Sequence, residues 1–398
     1  MKRVILFSFL LIVGLVLSQF NPQIFGENFE TFKTVTDALL YVTLGYIMIN
    51  VGREFEIDKK HWRSYSKDYL VAMITAALPW FLVASYYIII LPPIETKLWL
   101  NSDAWKEVLL LSRFAAPTSA GILFTMLVVA GLKHTWVYKK IQVLAIFDDL
   151  DTIILMIPLQ ILMIGMRWQM FVILIVAVVL LWLGWKKMGQ YRLKQDWKSI
   201  LLYSVIIFAV IHAVYLFSKK YYGSEGSIHI EILLPAFILG MIMKNEHKFV
   251  PSDEKMSLNI SYVFMLLVGM SMPAFLGVDF NAVAQTTNSI ISNIPMLPWE
   301  IIGFHVMVIT ILSNVGKMIP MFFYKKRKIF ERLAVSVGMF TRGEVGAGVI
   351  FIAIGYNIGG PMVVISVLTM ALNLVLTGFF VVFVRNLTQR SIMDLHKH

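Results

Sequence analysis

Charged residues in this chain are confined to short clusters, and between the clusters lie apolar runs long enough to cross a lipid bilayer. In hydrocarbon, every backbone amide and carbonyl must be satisfied within a helix or a closed barrel, and runs of this length fit helices. Of the 398 residues, 58% are hydrophobic and 15% are charged, which is too apolar for the surface of a soluble protein. The expectation is therefore an all-α, polytopic membrane protein of about twelve transmembrane helices. They begin near residues 4, 34, 68, 108, 141, 169, 198, 229, 257, 300, 332 and 361. The absence of cysteine excludes disulfide frameworks, thiolate metal sites, Fe–S clusters and cysteine nucleophiles.

The net charge of +11 is informative through its placement. Basic residues recur in alternate loops: Lys2 and Arg3; Arg53, Lys59, Lys60, Arg63 and Lys67; Lys133, Lys139 and Lys140. The series continues with Lys186, Lys187, Arg192, Lys194 and Lys198; Lys244, Lys248 and Lys255; Lys325, Lys326, Arg327, Lys328 and Arg332; and Arg385, Arg390 and Lys397. The opposite loops hold only Lys33, Lys97, Lys106, Arg167, Lys219 and Lys220. The positive-inside rule then places both termini in the cytoplasm, and the basic clusters read as topology determinants rather than a nucleic-acid surface. The first run, from Lys2 to Leu17, is read as a retained helix and not a signal peptide, because its cleavage site is poor. No soluble domain is expected, so 1–398 is a single transmembrane domain.

An ionisable residue at mid-bilayer costs about 2.5–3.5 kcal/mol on the insertion scale, so each one that persists calls for a partner or a task. Seven stand out: Arg113 in the fourth span, Asp148, Asp149 and Asp151 in the fifth, Lys317 in the tenth, and Arg342 and Glu344 in the eleventh. Asp148 lies eight residues beyond the basic flank at Lys140, and Lys317 eight before the flank at Lys325. Both are then ~12 Å deep, where a carboxylate and an ammonium can pair. The fourth span is interrupted by Ala116 to Gly121, which includes Pro117, and the eleventh by the glycine-rich run Thr341 to Gly348. Unwound backbone inside a membrane is tolerated only within protein or beside a water-filled cavity. The third to fifth and tenth to twelfth spans (68–165 and 300–385) form two units of opposite sense, each with a broken middle helix. Such inverted-topology repeats with two broken crossing helices are the architecture of many secondary transporters. Residues 1–67 and 198–298 are grouped as mainly scaffold and dimerisation helices.

Several ordered motifs resemble those of bacterial sodium/proton antiporters of the monovalent cation:proton antiporter-2 family. The run Leu144 to Leu155, reading LAIFDDLDTIIL, is similar to that family's Asp-Asp helix. Pro117, Thr118 and Ser119 resemble its first broken helix, Gly316 and Lys317 its lysine helix, and Thr341 to Glu344 its second break. Val51 to Asp58 after the second span also fits. The resemblance implies that Asp149 is the principal carrier, binding either Na⁺ or a proton, with Asp148 as its partner. Lys317 would pair with Asp148, an arrangement associated with electrogenic exchange. Thr118 and Ser119 would lend oxygens near the crossing, and Arg342 with Glu344 would stabilise the second break; since sodium takes oxygen ligands, Thr152, one turn from Asp148, is a further candidate. Asp151 is an additional acid where the family has an apolar residue, which leaves the ion count open. The resemblance also implies a homodimer transporting Na⁺ (or Li⁺ or K⁺) and H⁺ without a cofactor, and the lack of targeting signals fits a bacterial inner membrane, with an organelle membrane as the alternative.

Each of these residues also has a plainer reading. Asp148 with Lys317 can be a brace between helices, and Asp151 a funnel residue or a solvated wall. Arg113 reads as structural, snorkelling to the outer interface, and Arg342 with Glu344 as compensating broken helix ends. His212 and His305 read as packing residues, and the 23 methionines as core and lipid contacts. Among other functions, the Asp148 to Asp151 spacing resembles the Mg²⁺-diphosphate motif of membrane prenyltransferases, but the second acidic cluster such an enzyme needs is missing. A HExxH zinc motif is absent. The nearest competitor is a sodium-coupled organic-solute symporter of the same architecture.

Overall fold

The computed structural model describes residues 2–55, 62–164, 168–222, 230, 232–244, 251–273, 289–356 and 358–393. Its helices are α1 Lys2–Phe25, α2 Phe29–Arg53, α3 Trp62–Ile89, α4 Ser102–Ser112, α5 Ala120–Val129, α6 Trp136–Ile164, α7 Trp168–Lys187 and α8 Trp197–Tyr222. They continue with α9 Leu233–Ile242, α10 Pro251–Met270, α11 Trp299–Gly316, α12 Pro320–Phe323, α13 Ile329–Gly338, α14 Glu344–Gly355 and α15 Pro361–Met393. No strand occurs among the described residues. The pairs α4–α5 and α13–α14 are each one interrupted crossing, and α12 prolongs α11 after a turn, so the described helices make about twelve crossings. Among the described residues, six runs, including the 52-residue stretch Lys2–Arg53, are long and apolar enough to span a bilayer by length and composition. The protein is an all-α polytopic membrane protein.

Most helices begin a few residues before the apolar run that announces them. The reason is that their basic flanks are helical as well, as at Trp136 to Lys140. Local chemistry sets the ends. Gly26, with φ of 47°, takes the left-handed turn between α1 and α2 that a side chain would resist. The Asn101 side chain caps α4 by accepting from the amides of Asp103 (2.9 Å) and Ala104 (3.3 Å). Pro361 opens α15 at a position where a missing amide costs nothing.

The chain divides into two compact units. One comprises Glu27–Trp62 and Ile164–Leu267. Here Gly52 of α2 lies against the Phe237 carbonyl of α9, and Gly240 of α9 against the Ile49 carbonyl of α2. Backbones this close admit no side chain between them, the small-residue packing used where lipid supplies no hydrophobic drive.

The other unit comprises Met1–Gly26, Arg63–Met163 and Val268–His398. It contains α1, which packs along α15 with Gly378 against Ser8. The 33-residue α15 is its central post, flanked by α1, α11, α13 and α14. A neutral polar seam runs between α11 and α15, with Thr310, Ser313 and Asn314 on one helix and Ser366, Thr369, Asn373 and Thr377 on the other, all buried. Asn314 Nδ2 donates to Asn373 Oδ1 (3.2 Å), and Asn373 Nδ2 to the Thr369 carbonyl (2.9 Å). Tyr87 of α3 shares a hydrogen with Ser366 (2.7 Å). Continuous, broken and continuous crossings follow one another twice, as α3, α4–α5, α6 and as α11, α13–α14, α15.

Candidate functional site

The two interruptions are what bring polar backbone into the interior. After α4 the chain makes a 3-10 turn over Arg113–Ala115, and α5 begins at Ala120 with Ser119 as its cap. After α13 the helix lapses from Met339 to Gly343 and resumes at Glu344, so Gly346 and Gly348, read in sequence as part of the break, lie inside α14. The breaks touch. Ser119 N donates to the Thr341 carbonyl (3.1 Å) and Thr118 Oγ1 to the Met339 carbonyl (3.1 Å). A side chain at Gly343 would meet Ser119 Cβ at 3.0 Å, so glycine is required there by proximity, its φ of −173° being ordinary extended backbone. Gly346 serves the same end, since a Cβ there would lie 3.0 Å from the Phe114 carbonyl.

Against this crossing α6 presents its acids. Asp148 is fully buried, and its Oδ2 accepts from the Thr118 amide (2.7 Å) and from Lys317 Nζ (3.0 Å). Lys317 Nζ also donates to Thr118 Oγ1 (3.0 Å), closing a triangle of ammonium, carboxylate and threonine. Lys317 is fully buried too and stands just past the last residue of α11, where a cation complements the helix's C-terminal carbonyls. It is placed there by close packing, since a Cβ at Gly316 would meet the backbone of Pro79 in α3 at 2.7 Å. Thr152 Oγ1 donates back to the Asp148 carbonyl (3.0 Å), and Ser119 Oγ accepts from the Ile122 amide (3.4 Å), so both hydroxyls also serve their own helices. Asp149 is partly exposed and next in sequence to the buried pair.

Two arginines complete the interior, each following the first half of a broken crossing. Arg342, fully buried, donates Nη1 to the Met339 carbonyl (3.2 Å) and Nη2 to the Ser313 carbonyl (3.5 Å). Arg113 is also fully buried, which corrects the snorkelling expected from sequence. Its guanidinium lies 4.7 Å from the Trp80 ring centre and donates Nη2 to the Asp151 carbonyl (3.1 Å). Asp151, only 1% exposed, is no solvated wall, and the Tyr69 hydroxyl of α3 reaches its carboxylate. The Glu344 side chain and residues 56–58 of the Val51 to Asp58 motif lie outside the described residues, as does Arg167. Among those described, no group of three or more acidic or imidazole side chains could hold a metal ion.

This fold is similar to that of a sodium proton antiporter. The structure of MjNhaP1 from Methanocaldococcus jannaschii at pH 8 matches over 94% of this chain and 91% of that one, with a TM-score of 0.55 and 13% sequence identity. At that identity the likeness is one of fold. No family model matches the sequence, and no curated protein does.

Sequence reasoning missed one further ionic cluster. Asp68, at the start of α3, is 2% exposed; its Oδ2 accepts from Lys140 Nζ of α6 (2.7 Å) and its Oδ1 from the Tyr324 hydroxyl (2.8 Å). Lys140 therefore does more than mark a cytoplasmic flank. Its ammonium also lies 5.2 Å from the Tyr324 ring centre, and Tyr324 packs edge-on against Trp136. Burial and the Asp68 carboxylate push the Tyr324 hydroxyl well above its ordinary pKa, so it remains a donor at any physiological pH. The only signal in the sequence was an acid beside Lys67 at the edge of an apolar run. Asp68→Ala, which strands both donors, is expected to cost about 1–3 kcal/mol. Tyr324→Phe, which removes one bond and leaves Asp68 paired with Lys140, is expected to cost less, and thermal unfolding of the purified variants checks the order.

Proposed function

We propose that the protein exchanges Na⁺, or alternatively Li⁺ or K⁺, for H⁺ across its membrane by alternating access, as a transporter with no enzymatic step. The observation that carries this reading is the buried Asp148–Lys317 pair at the crossing of two broken helices, with a second acid, Asp149, next to Asp148 along α6. A bare carboxylate is costly within a membrane, so Asp149 is occupied either by a proton or by a small hard cation. The two occupants exclude one another, and that exclusion couples their gradients if the site changes its access only when filled.

In this reading the cation sits on Asp149 and completes its shell with oxygens at the crossing, from Thr118, Ser119 and Thr152, with backbone carbonyls and water. Lys317 offers a second titrating group against Asp148, which would make exchange electrogenic. The fold likeness to a sodium proton antiporter supports the class of transport. The basic-loop pattern supports cytoplasmic termini, and a homodimer in a bacterial inner membrane completes the proposal.

The test is purified protein in liposomes with an imposed pH gradient, following internal pH as Na⁺, Li⁺, K⁺ or choline is added outside. Dissipation by Na⁺ or Li⁺ but not by choline is the expected result. An intact gradient with every cation between pH 6 and 9 would overturn antiport and favour an organic-solute symporter.

A further inference from the structure

We infer that Arg113 is the fixed counter-charge of Asp151, so that this carboxylate sets the electrostatic potential at the Asp148–Asp149 site without itself carrying a cation. The inference deepens the antiport reading and rests on it. α6 carries three acids, of which Asp148 and Asp151 are buried, and three fully buried cations come from other crossings, Arg113, Lys317 and Arg342. Lys317 is bonded to Asp148, and Arg342 is turned to the carbonyls of Met339 and Ser313. Arg113 is bonded to the backbone of Asp151 itself and attracts the charges of Asp148 and Asp151.

Its position is held from two sides, by the Trp80 ring at 4.7 Å and by the Asp151 carbonyl at 3.1 Å. Among the described residues, Arg113 Nε and Nη1 meet no acceptor and Asp151 Oδ2 meets no donor, although all three atoms are buried. Donors and acceptors left over in one interior are complementary in charge and compensate through space, where the low dielectric makes attraction strong. A cation placed on Asp151 would have to lie beside a guanidinium that cannot withdraw. Helical geometry adds to this: at about 100° per residue, Asp151 is roughly 200° around α6 from Asp149, on another face. The groups that face the pair from neighbouring helices are Tyr69 of α3, which reaches Asp151, and Lys317.

The experiment compares wild type, Arg113→Gln, Arg113→Lys, Asp151→Asn and the double variant Arg113→Gln/Asp151→Asn in the liposome assay at alkaline pH. Removing Arg113 leaves the site more negative, and KM for Na⁺ is expected to fall about three- to tenfold; removing Asp151 is expected to raise it by a similar factor. The double variant, with its charge balance restored, and Arg113→Lys should both lie near wild type. A packing role for Arg113 predicts no opposite signs and no cancellation. Loss of exchange in Asp151→Asn would overturn the inference by making Asp151 a carrier, and equal KM in all variants would overturn it as well. Thermal unfolding provides a readout without transport: the double variant should be more stable than either single one, and additive losses would also sink the pairing. Absence of exchange in wild type tells against antiport itself, whereas the unfolding comparison judges the pairing alone.

Discussion

Liposomes carrying Asp149→Asn are expected to show no cation-dependent dissipation of a pH gradient, a loss of at least ~100-fold, while the variant folds and purifies as wild type does. Asparagine keeps the shape of aspartate, and Asp149 is partly exposed, so its replacement opens no cavity. What is removed is the charge. A cation brought from water into the interior without a counter-charge loses several kcal/mol, and each 1.4 kcal/mol is a factor of ten in affinity. The amide also carries no exchangeable proton in this pH range, so both halves of the competition fail together. Coupled exchange at the wild-type rate by this variant would remove Asp149 from the mechanism and shift attention to Asp148. Measuring Na⁺ binding and proton release separately on purified protein would show whether both are lost, as a shared site requires.

The second large effect is expected from Lys317→Ala. Lys317 and Asp148 are both fully buried and bonded at 3.0 Å, so removing the ammonium strands a carboxylate whose remaining donor is the Thr118 amide. Breaking such a pair from one side costs about 3–5 kcal/mol. At about 2–4 °C of melting temperature per kcal/mol for a large domain, the shift is on the order of 10 °C. Removing both charges, as in Asp148→Asn/Lys317→Ala, should recover most of that loss, because the desolvation cost leaves with the pair. Transport is expected to separate differently: the single variant still exchanges through Asp149, but the rate no longer follows the membrane potential. If potential dependence survives in Lys317→Ala while stability falls, Lys317 is a brace between α11 and α6 and nothing more.

Much of the fold was legible because membrane helices are written in composition and length. Apolar runs and their basic flanks locate the crossings, and Pro117 and the glycines after Thr341 mark two of them as interrupted. The extent of an interruption is less legible. Gly346 and Gly348 look like continued unwinding, yet they lie in α14, where Gly346 answers a close approach by Phe114 that only the packed structure reveals. Counting residues to the basic flanks puts Asp148 and Lys317 at one depth. Nothing in the sequence says that the Thr118 amide joins them, because that bond depends on how the first break is wound. Arg113 was misread for a related reason. Its distance from a helix end suggested reach to the interface, but the end of α4 is turned into the protein, and Trp80 and α6 enclose the side chain. Asp68 escaped notice because an acid at the margin of a run looks solvated until Lys140 and Tyr324 are folded onto it.

The seam between α11 and α15 has a consequence for endurance. The bond across it, amide to amide at Asn314 and Asn373, involves groups that never ionise in the working range. Lys317 stands at the end of α11, within one turn of Asn314. In the proposed cycle the charges beside this seam change at every turnover, whereas the fastening of the two helices is neutral and so does not depend on which ion is aboard. A machine whose moving part is charge gains from bolts that charge cannot loosen.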